Sequence, residues 1–132
     1  MRHLNPRAGI SQGRGARRRL YAAYMASGGW QLRRRAWLRQ WRATHPDTDP
    51  ACMVCERAWT LADDLHHASY DQLGHEPDTN LLPMCRPCHQ ALHRILDRSG
   101  HWRTMPRRAA TTRIITNLRR PRPIAAGDTN NA

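Results

Sequence analysis

The chain has 132 residues and a mean hydropathy of −0.82, enough for one domain with short flanks. Its formal charge is +12 and its pI is near 11.4, with arginine as the only cation and no phenylalanine. No stretch approaches the ~18 apolar residues of a membrane span, so a membrane role is not expected, and the charge selects a polyanionic partner, above all nucleic acid.

The charge is unevenly placed. Residues 1–42 hold 11 arginines and no acid, residues 43–100 hold 4 arginines against 9 acids, and residues 101–132 hold 7 arginines against one acid. A mildly acidic middle between basic flanks suits a cation site held onto DNA or RNA by basic arms. Residues 1–26 read as a basic, largely disordered arm, because "NPRAGISQGRGARRR" mixes Gly, Pro and Arg without apolar periodicity. The apolar run from Leu20 to Ala26 is too short, and too soon followed by arginines, for a secretion signal.

From Ser27 the pattern turns helical. Trp30, Trp37 and Trp41 recur at i, i+7 and i+11 beside Leu38, with Ser27 as N-cap and Pro46 as stop, which predicts an amphipathic helix over 27–44. Its tryptophans are read as core, with base stacking as the alternative. Arg33, Arg34 and Arg35 on its other side are read as phosphate contacts, with a merely solvated face as the alternative.

A compact region over 51–100 follows the "HPDTDP" linker. It contains a knuckle at Cys52 and Cys55, a short strand into His66 and His67, and a polar loop. A second strand at "NLLPM", a second knuckle at Cys85 and Cys88, and a helix from His89 to Arg98 complete it, with Gly100 as stop. So few large side chains cannot bury a sufficient core unaided, so a structural metal is expected. The two CxxC pairs make a four-cysteine tetrahedral zinc set, although the 29 residues between them require an insertion. Redox chemistry at CxxC is one alternative; a mixed site of Cys52, Cys55, His89 and His93 is another, which strands Cys85 and Cys88. Paired CxxC motifs suit a reducing cytosol, and the all-arginine composition suits a bacterial or phage genome.

The histidines are surplus to that zinc. His89 and His93 lie four apart on a helix, about 40° apart on one face. His66 and His67 are adjacent on a strand and point to opposite sides, so only one of them can face the helix as a ligand.

A His-His pair, an asparagine thirteen residues after the second histidine, then His-x3-His after a CxxC resembles the HNH endonucleases, which belong to the ββα-metal or His-Me finger nucleases. The resemblance covers about residues 27–98 and includes the "SGGWQLRRRAWLRQW" helix and the paired knuckles. It implies a small α+β fold: a ββα-metal finger with a four-cysteine structural zinc, preceded by an amphipathic helix. By composition, basic flexible termini flank it, the second a tail over 101–132 in which "TTRIITNLRR" reads as a short strand or helix. The resemblance also implies metal-dependent hydrolysis of DNA phosphodiesters in the cytoplasm, RNA remaining open as substrate. His67 becomes the general base, and Asn80 braces the loop and orients it. His66, His89 and His93 become ligands of one divalent cation, and Arg86 or Arg94 a stabiliser of the phosphorane. Where His66 stands, many such proteins have Asp. Three histidines favour Zn, Ni or Mn over Mg. The alternative from another class is a non-catalytic, zinc-stabilised nucleic-acid-binding module. A zinc deaminase is discarded, since neither half of its signature matches "HEP" or "PMCRPC". Asp63, Asp64 and Asp78 are read as loop solubilisers, with hydrogen-bond partners of the metal ligands as the alternative, Tyr70 as a packed loop residue, with substrate contact as the alternative, and His3, His45, His75 and His101 as surface.

Overall fold

A computed structural model describes residues 6–120, with side chains from residue 15 onward. In chain order the elements are α1 (Pro6–Met25), α2 (Gly28–Thr44), β1 (Asp64–His67), a 3-10 turn (Asp78–Asn80), β2 (Leu81–Met84), α3 (Arg86–Arg98), α4 (Gly100–Arg103) and α5 (Arg107–Arg119). The class is small α+β with a two-stranded sheet. No helix among the described residues is long and apolar enough to cross a membrane.

The helix expected over 27–44 forms as α2. Ser27 caps it, its Oγ accepting from Trp30 N at 3.3 Å while donating to Tyr24 O at 2.6 Å. Trp30, Trp37 and Leu38 are buried, and they meet Trp59, Leu65 and Leu81 in one apolar cluster. Trp41 lies at its edge, stacked on Trp37 on one side and on the exposed His45 on the other. The tryptophan stripe is therefore core.

β1 and β2 pair antiparallel, with His66 opposite Leu82 and His67 opposite Leu81. The pleat sends Leu65, His67 and Leu81 toward α2 and sends His66 and Met84 toward α3. On that second side Met84, Leu92, Leu96, Ala110, Ile114 and Ile115 form another cluster, which includes Cys52 and Cys85. The sheet thus divides two small cores.

Three expectations need correction. Residues 6–25 of the expected arm are helical; arginine is a good helix former, and Tyr24 and Met25 anchor the end against the tryptophan cluster. Residues 101–120 are no tail. α4 restarts the chain at once, because Ser99 Oγ accepts from His101 N, so Gly100 opens a helix rather than stopping one. α5 then buries Ala110, Thr111, Ile114 and Ile115 against α3. Spacing of i, i+1, i+4 and i+5 is a helical face, and Pro106 sets its start. Residues 1–5 of the arm, with His3, and residues 121–132 of the tail lie outside the described residues. α3 begins at Arg86, three residues before the expected His89, with Cys85 in the N-cap position.

Candidate metal centres and the buried His67–Glu76 pair

Cys52 and Cys55 sit on the turn before β1, and Cys85 and Cys88 at the start of α3. Their sulfurs all lie within 4.8 Å of one another, with Cys55 and Cys85 Sγ 3.8 Å apart. The latter is the edge expected of a tetrahedron around zinc, about 3.8 Å for a metal–sulfur bond near 2.3 Å. It is far from a disulfide bond of about 2 Å. The four cysteines can therefore hold one metal ion. Burial raises the Cys52 thiol, but backbone N–H groups of Cys55, Cys85 and Val54 outweigh it and bring it down to about 7. Burial and neighbouring thiols push Cys88 up. Glu56 closes the first knuckle at φ 64, donating its N–H to Cys52 O.

The histidines gather separately, so the mixed cysteine–histidine alternative is not assembled among the described residues. His66 from β1 and His89 and His93 from α3 bring one ring nitrogen each within 4.8 Å of the others. His66 Nδ1 is 3.3 Å from His89 Nε2, which is 3.0 Å from His93 Nε2. The outer nitrogens decide the tautomers. His89 Nδ1 lies 3.0 Å from Asp64 Oδ2, and His66 Nε2 lies 3.1 Å from Thr111 Oγ1. Protons on those outer atoms leave lone pairs pointing inward, an arrangement that suits a cation. Burial, together with the Arg107 charge and the neighbouring histidines, drives His66 down to about 2, so it stays neutral. Burial likewise lowers His93.

His67 has a different environment. Its Nε2 is 2.7 Å from Glu76 Oε2, and the residue is 2 % exposed. Glu76 is itself buried, and its Oε1 accepts from Tyr24 OH at 2.9 Å and from Gly74 N at 3.0 Å. Gly74 can present that N–H because it takes φ +89. Trp30 lies 4.7 Å from the His67 ring, and the Tyr21 edge faces it at 5.8 Å. Burial lowers the His67 pKa against the opposing pull of Glu76. Its Nδ1 is buried with no hydrogen-bond partner among the described residues. With the proton on Nε2 toward the carboxylate, Nδ1 carries the free lone pair.

Asn80 braces the neighbouring backbone. Its O accepts from Ala68 N at 2.8 Å, next to His67, and its Oδ1 accepts from Arg108 Nη2. The expected arginines divide. Arg33 donates to Glu76 O and pairs with Asp78 at 2.5 Å, while Arg34 Nη2 donates to Leu61 O and Asp63 O. Both tie α2 to loops, with Nε and Nη2 of Arg33 and Nη2 of Arg34 engaged within the chain rather than turned to an outside phosphate. Arg35 and Arg94 are exposed, and Arg86 is 3.4 Å from Asp64 Oδ1.

Of the two readings open for the acids, Asp64 takes the part of partner to a histidine of the cluster, and Asp63 and Asp78 hold loop contacts. Asp64 orients His89, and Asp63 Oδ2 accepts from Thr60 N. Asp64 was discoverable, since it stands two residues before His66 on the same strand face. Glu76 carries only the weak signal of an acid nine residues past a histidine. Thr111 and Arg107 gave no signal as site residues, because they reach the site from α5, which the sequence offered only as a short strand or helix within the tail. Tyr70 is 39 % exposed, with Arg107 stacked 4.1 Å above its ring. No protein-family model, curated protein or solved structure matches this chain.

Proposed function

We propose that the chain is a metal-dependent endonuclease of the HNH type, hydrolysing DNA phosphodiester bonds. The observation that carries this reading is the division of two adjacent histidines: His66 turns to His89 and His93, and His67 turns away to Glu76. The paired cysteines are assigned a structural zinc. The three histidines are assigned a divalent cation, with donor chemistry favouring Zn, Ni or Mn over Mg. A cation held by His66, His89 and His93 would supply Lewis acidity toward the scissile phosphate.

His67 Nδ1 takes the proton of the attacking water. Glu76 keeps the opposite proton on Nε2 and stabilises the imidazolium that forms, as an acid paired with a catalytic histidine does. Asn80 holds the strand end that fixes the ring. Nδ1 is buried, so this step requires Tyr21 and Tyr70, which stand 5.8 and 6.0 Å from the imidazole, to move aside and admit the water.

That burial favours a second reading. A histidine only 2 % exposed, sealed by Trp30 and Tyr21, also fits a non-catalytic zinc-stabilised nucleic-acid-binding module. Plasmid nicking in Mn, Ni, Zn or Mg by wild type and His67→Ala separates the two, with metal content measured on both proteins. We expect wild-type nicking, a loss of about 100-fold or more in the variant, and equal metal content. No nicking with any of these ions, and one metal per chain, would sink the nuclease reading. Parallel RNA and DNA substrates decide the sugar preference.

A further inference from the structure

Beside the histidine cluster, α1 and the 69–73 loop enclose a cleft of about 920 Å³. Arg17, Arg18 and Tyr21 line it from α1, Tyr70 from the loop, His93 from α3 and Arg107 from α5. Asp71 and Asp97 also reach it.

Arg107 is the unusual residue. The other inward-turned arginines have acceptors: Arg33 and Arg34 as above, and Arg108 on Thr79 O and Asn80 Oδ1. Arg107 gives its Nε to His67 O at 2.9 Å, and its Nη2 is buried without any hydrogen-bond partner among the described residues. It has no carboxylate partner there either. A guanidinium held this way is incomplete, since burying a charge without a counter-charge is costly. An anion beside His93 supplies what it lacks. Arg17 and Arg18 are exposed on the wall opposite and make no ion pair among the described residues. Tyr70 and Tyr21 put aromatic surface between these cations, the mixture that single nucleic-acid strands use.

We propose that this cleft seats one DNA strand, with Arg107 contacting the phosphate nearest His93, and Arg17 and Arg18 contacting phosphates further along. The proposal rests on the nuclease reading for the identity of the strand, and it makes α1 a substrate-binding wall. A groove of this volume takes a few nucleotides of one strand and not a duplex.

The test uses the full chain with its metals, a fluorescein-labelled 15-nucleotide oligothymidylate, and anisotropy without added divalent ion. Wild type is expected to bind. Arg17→Glu with Arg18→Glu should weaken binding tenfold or more. Replacing them by Ala instead should reduce the salt slope by about 0.7 per lost phosphate contact. Arg107→Lys keeps a cation but loses Nη2, and should weaken binding at least threefold with an unchanged melting temperature. If it melts early, the α1 pair decides instead, since those residues are exposed. Arg39→Glu with Arg42→Glu, both exposed on α2, is the control and should leave binding near wild type. No binding by wild type, equal binding by the α1 pair, or equal weakening by the control overturns the cleft. Plasmid nicking by the same proteins keeps the two readings apart. Strand binding lost in the α1 pair, without nicking by wild type in any ion, leaves the cleft and removes the nuclease. Nicking by wild type that the α1 pair retains, with unchanged binding, leaves the nuclease and removes the cleft.

Discussion

His66 and His67 share a peptide bond and almost nothing else. The pleat of β1 puts one against α3 and α5 and the other against α2 and the 68–77 loop, so one strand feeds two separate environments. Each ring is then fixed by a partner on its far nitrogen or by one shared through the cluster. Asp64 does this for His89, Thr111 for His66 and Glu76 for His67. Such outer contacts set the tautomer and the basicity of a ligand. Asp64→Ala is therefore expected to weaken the cation at the histidine cluster by about 10- to 100-fold. A competition titration should find the cysteine site still loaded; equal weakening at both sites would point to a general loss of structure instead. The two adjacent histidines were legible in the sequence as a pair with opposite directions. Their partners were not, because Glu76 and Thr111 are brought in by loop closure and by a helix forty-five residues away.

Among the elements, α5 changes the picture most. It was expected within a basic tail, since five arginines fall between residues 107 and 120 and the apolar residues among them are few. In the fold those few are concentrated on one face: Ile114 is fully buried, and Thr111 reaches His66. Its other contacts are Arg107 to His67 O and Arg108 to Asn80. One helix thus packs the second core, completes the histidine cluster and braces the loop after His67. Ile114→Ala should destabilise the chain by about 2–5 kcal/mol, read as a shift of the urea midpoint at unchanged slope. A cost below about 0.5 kcal/mol, the size of an ordinary surface change, would mean that α5 is detached in solution. α2 is the contrasting case: three tryptophans at helical spacing, a serine cap and a proline stop agree with one another, so its bounds were readable to within a residue.

For the whole molecule, the two apolar clusters differ in what holds them. The cluster under α2 is built from tryptophan, which buries a large area per residue. The cluster between β2, α3 and α5 includes Cys52 and Cys85 and leans on smaller side chains. A metal at the cysteines then belongs to that core rather than to its surface, and metal binding and folding are coupled. Cys85→Ser is expected to release one zinc and to lower the thermal midpoint by about 10 °C or more, on the usual scale of a few degrees per kcal/mol. A variant that melts with wild type would remove the structural role of the four cysteines.

By itself the sequence determined which cysteines and histidines the fold gathers into two clusters. Cysteine spacing, the i, i+4 histidines and the strand-borne pair are local patterns, and local geometry of helices and strands dictates which way they face. It also determined α2, both strands and α3 to within a few residues. Only the tertiary structure decided what surrounds those residues: that Glu76 is buried against His67, that α5 supplies Thr111 and Arg107, and that α1 forms a wall rather than a loose arm. The physical reason is that these contacts join residues far apart in the chain. An exposed-looking arginine or a lone glutamate has no periodicity to betray it, and its role appears only when burial removes water as its partner.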